Sequence, residues 1–415
     1  MMLRIASAQS FDAGVDQLQK RQRELAESQE RLTSGKRVAR ASDDPSAAAR
    51  AERALAAVSR QDANQRALQA SRAAMSLTEG ALADAGELIQ QAREALVAAG
   101  NASYSDAERK GVGERLAGIR QQLLAVANRG DGLGGYLFAG QGAVQPPFVD
   151  GVGGVAFRGT AGEVQVASGE ALPRSIDGEL AWNASPSGNG LFATRNSSAS
   201  PQTAGAWIDA GRVSDPQAFF AATSPPAVAD PDALRYTVQF APGPSGTTVS
   251  VFKDGAPTSV ANAAFTSGRA IEVDGMAFTV SGQPTAGDRF ELALSQPKLS
   301  VFDTLDRAIA ELRTPLRSSA AITQGVQGAL ASLDGSMGAL QSLRSRVGEI
   351  LNRTDMVEGR IASQKLVAQT ERSTAEDLDM VQAVSEFQNR QTGYDAALKS
   401  YASVQRLSLF QYLNG

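Results

Sequence analysis

The distribution of proline constrains the fold of this chain more than any other feature. Of the 16 prolines, fourteen lie between Pro146 and Pro297, and only Pro45 and Pro315 lie outside that window. Proline inside a helix removes a backbone hydrogen bond and clashes with the preceding turn, so long helices are confined to the two flanks. Both tryptophans and ten of the 15 phenylalanines also fall inside the window. The sequence therefore predicts a mainly α protein in which two helical arms flank an inserted β domain.

The composition excludes most catalytic chemistry. The 415 residues include no cysteine and no histidine, which removes thiol nucleophiles, Cys or His metal sites and imidazole acid–base catalysis. We therefore expect no enzymatic activity, no cofactor and no metal. The formal net charge of −4 offers no basic field for a phosphate backbone, so we expect no nucleic-acid partner. Without a long apolar run we also expect no membrane contact and no cleaved signal peptide.

A stripe of residues with alternating four- and three-residue spacing predicts a long N-terminal helix. Its members are Phe11, Val15, Leu18, Gln22, Leu25, Gln29 and Leu32. Thr33-Ser34-Gly35 ends this helix, and Ser42-Asp43-Asp44-Pro45 predicts the capped start of the next. The capping-box pattern Ser105-Asp106-Ala107-Glu108 predicts the start of a third helix.

The C-terminal arm repeats this organisation. A helix that begins near Val301 must stop or kink at Pro315, and a long apolar seam follows as far as Ile361. A second capping-box pattern, Ser373-Thr374-Ala375-Glu376, predicts the start of the last helix. The predicted stripe of that helix comprises Met380, Val384, Phe387, Gln391, Tyr394, Leu398, Tyr401, Gln405 and Tyr412.

The two end helices carry the predicted assembly contacts. Glutamines interrupt both stripes, so a simple pairing of the two ends would bury amides and be marginal. Apolar residues near the C-terminus spread around the helix, which therefore needs several neighbours, such as other copies of the chain. The predicted contacts are Phe11, Val15, Leu18, Leu25, Leu32, Phe387, Tyr394, Leu398, Tyr401, Leu407, Leu409, Phe410 and Leu413.

The middle of the chain reads as short strands separated by turns. Alternating apolar residues predict strands over 234–240, 247–252, 271–280 and 289–294, the third folded around Asp274-Gly275. No carboxylate of this region takes an evident catalytic role. A secreted ligand-binding or enzymatic β domain on a helical stalk nevertheless stays open as a functional class.

One motif suggests a nucleotide site. Gly130-Asp131-Gly132-Leu133-Gly134-Gly135 matches the GxGxxG spacing, but a helix precedes it and no βαβ unit surrounds it, which favours a flexible turn. Asp43-Asp44 could bind a metal ion as a carboxylate pair, but its position before a proline-started helix favours capping.

Four segments of the chain have recognisable motifs. They are Leu32-Thr33-Ser34-Gly35-Lys36-Arg37 followed by Ser42-Asp43-Asp44-Pro45, Gly135-Tyr136-Leu137-Phe138-Ala139-Gly140 followed by Pro147-Phe148, Gly282-Gln283-Pro284 with Gly287-Asp288-Arg289-Phe290, and Leu407-Ser408-Leu409-Phe410-Gln411-Tyr412-Leu413. These segments resemble the flagellin superfamily and, within it, the hook-associated members. The last segment departs from the ending of flagellins themselves.

The resemblance implies a structural subunit that joins the flagellar hook to the filament, with a minor flagellin as the alternative. It implies partners as well: other copies of the chain, the first hook-associated protein, flagellin, and an export chaperone bound at the C-terminal helix. The expected location is extracellular, in the flagellum, after type III export without a cleaved signal. The expected regions are a terminal coiled-coil inner layer (1–42 with 373–415), a helical bundle (43–146 with 298–372) and a β-rich, solvent-facing insertion (147–297).

Overall fold

The computed structural model describes most of the chain, and side chains at both ends and in one short hairpin lie outside the description. The described residues are 2–143, 145–162, 165–167, 171–197, 205–224, 233–244 and 246–413, with backbone only for 2–11, 165–167, 171 and 404–413. The helices are α1 (Met2–Ser34), α2 (Pro45–Ala99), α3 (Asp106–Ala127), α4 (Gly178–Trp182), α5 (Pro216–Thr223), α6 (Val301–Arg313), α7 (Ser319–Glu376) and α8 (Met380–Leu413).

The strands all lie in the proline-rich window. They are β1 (Phe148–Gly151), β2 (Gly154–Phe157), β3 (Gln165–Ala167), β4 (Ala171–Pro173), β5 (Phe192–Asn196), β6 (Gly205–Ile208), β7 (Arg212–Val213), β8 (Arg235–Gly243), β9 (Gly246–Lys253), β10 (Ala256–Pro257), β11 (Ala263–Ala264), β12 (Ala270–Val273), β13 (Met276–Gln283) and β14 (Arg289–Leu294). The predicted class, mainly α with long helices at both ends and an inserted β domain, is confirmed.

Most helix boundaries follow the capping chemistry of the sequence. Asp44 accepts the amide hydrogens of Ser46 and Ala47 at the start of α2, and Ser105 and Glu108 form the predicted capping box of α3. The capping box predicted at 373–376 is wrong. These residues form the last turn of α7, in which Thr374 donates its hydroxyl to the carbonyl of Thr370. Asp379 caps α8 instead, because its carboxylate accepts from Val381 at 3.0 Å.

The chain divides into two compact units, Met1–Arg66 with Met356–Gly415, and Ala67–Asp355. In the second unit, the apolar faces of α2, α3, α6 and α7 form one core. Three ion pairs join α2 to α7 in antiparallel order, from Arg72–Asp355 through Glu79–Arg344 to Arg93–Asp334. The core includes Leu82, Ile89, Leu96, Leu116, Leu123, Leu305, Ile309, Leu333, Leu340 and Val347.

The first part of the proline-rich window belongs to this helical core. Phe148 and Trp182 are buried, and their rings lie 6.1 Å and 6.0 Å from that of Phe302 on α6. Asn128, just after α3, fixes β1 by bonding both the N–H and the C=O of Phe148 at 2.9 Å and 2.8 Å. Arg120 of α3 completes the attachment through a bidentate pair with Asp150 at 2.6 Å and 2.8 Å.

The rest of the window forms a β module with its own core. One sheet has the order β10-β9-β8-β14-β5, with β11 also paired to β9, and another has the order β12-β13-β6, with β7 also paired to β13. Alternation along β8 points Tyr236, Val238 and Phe240 inward. The Asp274-Gly275 turn joins β12 to β13 with positive φ at both residues, as a tight hairpin requires.

The chain enters and leaves the β module at one place. Ser185 and Leu299 exchange two backbone hydrogen bonds, of 3.2 Å and 3.0 Å. Beyond them, Ser295 donates its hydroxyl to the carbonyl of Ser187 at 2.8 Å. These contacts make Ser185 and Leu299 the natural boundary of the module.

Candidate assembly surface

Helices α1 and α8 pair in antiparallel order. The ring of Tyr401 lies against Gly14, and Arg390 donates to the backbone carbonyl of Glu24 at 3.0 Å. Contact positions therefore descend along α8 as they ascend along α1. The predicted contacts that are half-buried are Val15, Leu18, Leu25, Leu32, Phe387, Tyr394 and Tyr401.

The glutamines do not occupy the seam between the two helices. Gln22, Gln29 and Gln391 are exposed, whereas Ser28 and Ala383 are buried. The expectation that glutamines interrupt this pairing is therefore wrong for the described side chains. The seam keeps Val15, Leu18, Leu25 and Leu32 of the predicted stripe but passes Ser28 rather than Gln29.

Some predicted contacts do not join this seam. Leu398 is 41% exposed. The side chains of Phe11, Leu407, Leu409, Phe410 and Leu413 lie outside the described part of the structure, as does that of Gln405.

The ends of α1 and α7 meet in a feature called here the corner, residues 35–38 with 375–378. Gly35 ends α1 with a φ of 69°, a left-handed conformation in which its N–H reaches the carbonyl of Arg31 at 2.9 Å. Beyond it, Arg37 donates its N–H to the carbonyl of Glu376 at 2.8 Å, and Leu378 donates to that of Gly35 at 3.0 Å. This short antiparallel pairing fixes where the two end helices leave the rest of their unit.

Charged side chains hold the corner together. The carboxylate of Glu376 is paired with Lys36 and with Arg372, and these hydrogen bonds, that of Lys36 first, lower its pKa. The guanidinium of Arg37 links the corner to the start of α2. It donates one hydrogen bond to the carbonyl of Ala375, in the corner, at 2.8 Å and another to the carboxylate of Asp44, at the start of α2, at 3.3 Å. Sequence reasoning missed this cluster, because Arg37 and Ala375 are 338 residues apart. The available signal was the basic pair that directly follows the helix-ending glycine.

Apolar side chains remain exposed on α8 outside its seam with α1. Val381 is 84% exposed and Val384 is 42% exposed. Val384 precedes Phe387 by three residues and lies at the edge of the face that packs on α1, whereas Val381, six residues before Phe387, lies about 120° around the helix from it. Helix α1 therefore leaves Val381 uncovered and Val384 partly uncovered. We call these two residues the outward apolar face. Other exposed apolar side chains in this unit are Leu55, Met356, Leu366, Val367, Met380 and Leu398.

The glycine-rich segment 130–135 forms a turn, and the Asp43-Asp44 pair lies at the cap of α2. Asp131 accepts the amide hydrogens of Leu133 and Gly135, both at 2.8 Å, so its own carboxylate occupies donors that a phosphate would need. Among the residues that the structure describes, no cluster of three or more acidic side chains could hold a metal ion. Within the same residues, none of the helices has the length and apolar character needed to cross a membrane.

Two regions of the sequence match a known protein family. Residues 10–143 match the N-terminal helical region of bacterial flagellin, and residues 330–413 match its C-terminal helical region. The chain belongs to the flagellin family. The matched regions contain most of α1, all of α8 and both sides of the corner.

Relatives of the hook-associated type extend the match. Flagellar hook-associated protein 3 of Escherichia coli K12 is 24% identical over 387 residues, which cover 92% of this chain and 90% of that protein. The same protein of Salmonella typhimurium LT2 is 34% identical over 160 residues, 37% of this chain. This second match spans about half of its relative, at 48%.

Solved structures show the same fold. The crystal structure of flagellar hook-associated protein 3 from Legionella pneumophila aligns with a TM-score of 0.69 at 28% identity, covering 77% of this chain and 97% of that one. A structure of the flagellar junction protein FlgL from the same organism aligns with a TM-score of 0.64 at 29% identity, covering 71% and 95%. This member of the flagellin family is a structural protein of the bacterial flagellum.

Proposed function

We propose that this chain is the subunit that joins the flagellar hook to the filament by coiled-coil self-assembly. The observation that carries the proposal is the outward apolar face of α8, which α1 leaves exposed. Burying a valine side chain contributes about 1.5–3 kcal/mol. A lattice of identical subunits offers each α8 additional helices, and association would bury these side chains.

The proposed partners follow from the hook-associated relatives. Below the subunit we place the first hook-associated protein, and above it flagellin. Before assembly, an export chaperone would cover α8, whose exposed valines need protection from premature association. The predicted contacts at Phe11, Leu407, Leu409, Phe410 and Leu413 remain part of this proposal. The proposed location is extracellular, at the hook–filament junction.

The corner would give the assembly its geometry. Because Arg37, Val38 and Leu378 are tied across it by backbone hydrogen bonds, α1 and α8 leave from one point. Lys36, Arg372 and Glu376 reinforce that point with paired charges. A pair of helices presented from a fixed point can enter a repeating lattice in one orientation.

A minor flagellin is the rival within the family. The two curated relatives that match are both hook-associated protein 3, which favours the junction role. If the purified chain polymerised alone into long filaments, the flagellin role would replace it.

The test places charge on the outward apolar face. The double variant Val381→Asp with Val384→Asp should abolish rescue of swimming in a strain that lacks the parent chain, since carboxylates cannot be buried between subunits without a large desolvation cost. Its melting temperature should stay unchanged, because both side chains are exposed in the single chain.

A matched control adds the same charge elsewhere on α8. Gln382→Glu with Asn389→Asp introduces two carboxylates at exposed polar positions on another side of the helix, and this variant should swim. Full rescue by the double valine variant contradicts the proposal. A lowered melting temperature of that variant would instead assign the valines to the fold of the single chain.

A further inference from the structure

A cleft lies between the β module and the helices α6 and α7, within the second unit. Its volume is about 490 Å³, a size typical of sites for small molecules. Strands β5 and β8 form one wall, and α6 and α7 form the other. No part of the proposed assembly surface contributes to it, so an inference about the cleft is independent of the junction role.

The cleft is cationic although the chain is acidic. Four arginines from four different segments line it, Arg195, Arg235, Arg307 and Arg317, with Glu311 as the one lining carboxylate among the described residues. Glu291, just beyond the lining, pairs with Arg195 at 2.9 Å. Even when these two glutamates and Asp303, which interacts with Arg307, are counted, positive charge is in excess, whereas the chain as a whole has a net charge of −4.

Arg307 is the arginine most available to a ligand. It is exposed on α6, where the carboxylate of Asp303, one turn earlier, interacts with it electrostatically without a hydrogen bond between the two. Arg317, by contrast, is paired with Glu311 at 3.1 Å and donates to the carbonyl of Ala321 at 3.0 Å. A guanidinium offers a planar set of N–H donors that matches the oxygens of a carboxylate or phosphate.

The remaining lining narrows the class of ligand. Besides the apolar Ile208, Leu294 and Leu299, it consists of amides, hydroxyls and small side chains. Among the described residues it includes no aromatic ring on which a neutral sugar could stack. Amide and hydroxyl groups can complete the hydrogen bonding of an oxyanion held by arginines. We propose that this cleft binds a small multivalent oxyanion, a molecule with two or more carboxylate or phosphate groups.

The test is calorimetric titration of the full chain at low salt with two probes, citrate for carboxylates and tripolyphosphate for phosphates. Saturable binding of either probe supports the proposal, and the tighter probe identifies the anionic group. Arg307→Ala should weaken binding by about tenfold or more, the usual contribution of a charge-assisted hydrogen bond. Glu311→Gln should tighten binding, since it removes the lining carboxylate and releases Arg317.

Arg115→Ala is the matched control, because Arg115 is also an exposed helical arginine, on α3 and outside the cleft. It should leave binding unchanged, and equal melting temperatures should show that all variants fold. The proposal is overturned if neither probe binds saturably up to about 10 mM, which is a negligible affinity. It is also overturned if Arg115→Ala weakens binding as much as Arg307→Ala, or if Glu311→Gln fails to tighten it.

Discussion

Asp44 combines a helix cap and an ion pair in one side chain. One carboxylate oxygen accepts the N–H groups of Ser46 and Ala47 and the hydroxyl of Ser46, while the other accepts from Arg37 at 3.3 Å. The backbone hydrogen bond from Ala47, followed by that of the Ser46 hydroxyl, lowers the pKa of Asp44 from 3.8 to about 2. The folded state therefore favours the ionised form.

This lowered pKa predicts a pH-dependent contribution to stability. A depressed pKa stabilises the folded state above the unfolded pKa, and that contribution is lost as pH falls through the folded pKa. For Asp44 the window runs from about pH 4 to about pH 2. Asp44→Asn keeps the capping acceptor but cannot titrate, so it should be less stable than the parent at pH 7, and the difference should close across the window.

Urea unfolding of both proteins at a series of pH values, followed by circular dichroism, measures this difference. Other carboxylates titrate equally in the two proteins, so their contributions cancel in the comparison. A stability difference that stays constant from pH 5 to pH 2 would contradict the assigned role of Asp44.

At the scale of elements, the β module beyond Ser185 and Leu299 should be separable from the helical core. We expect that replacing residues 187–296 with a short Gly/Ser linker preserves the cooperative melting of the bundle, because the two ends are already paired by backbone hydrogen bonds. Replacing residues 149–296 should destroy it, since that deletion removes Trp182 from the core. Thermal melting followed by circular dichroism distinguishes the two variants.

Trp182→Ala is the single-residue control for this prediction. Removing a fully buried tryptophan costs about 3–5 kcal/mol, so this change alone should lower the melting temperature of the bundle. Loss of cooperative melting in the shorter deletion would show that the bundle needs the β module. Unchanged melting of the variant that lacks residues 149–296 would show that the Phe148–Trp182 cluster does not stabilise the helical core.

Local chemistry made most elements predictable from the sequence. Asp44, Ser105 and Pro315 act within a few residues of themselves, and the helix ends that they predict are confirmed. The helix start predicted at 373–376 was wrong because the residue pattern of a capping box can also occur within a helix. Here the pattern lies in the last turn of α7, and the next helix begins only after its cap, Asp379. Trp182 lies in a proline-rich window but packs on α6, a tertiary preference that composition does not encode.

The position of the seam between α1 and α8 was predictable from the sequence, but its rotation around the helices was not. The spacing of Val15, Leu18 and Leu25 locates the paired helix correctly. However, the seam passes Ser28 rather than Gln29, and the spacing of the apolar residues does not indicate that rotation. The pairing of Lys36 with Glu376 joins distant parts of the chain, and nothing in either local sequence indicates the other.

For the whole molecule, the distribution of buried side chains predicts a gradient of local stability. Among the described side chains of α1 and α8, only Ser28 and Ala383 are buried, whereas the second unit contains two apolar cores. Regions with few buried contacts open at low free-energy cost. In a verified monomer, amides of α1 and α8 should exchange hydrogen much faster than those of α3 and α6.

Hydrogen exchange followed by mass spectrometry measures this gradient, and brief proteolysis should leave a core near residues 45–370. The second unit is the internal control, because its helices experience the same solution conditions. Equal protection of α1, α8 and α3 would show that the end helices are stable without other subunits.

The α1–α8 pair also has a consequence for the order in which the chain folds. Its two helices stand at opposite ends of the sequence, so their pairing closes a loop that contains almost every other residue. The entropic cost of such closure is lowest once the intervening chain is compact, and contacts of this sequence separation form slowly. During synthesis α1 has no partner until α8 has been made. We therefore expect the end helices to be the last elements to fold, which leaves them available longest to whatever binds the nascent chain.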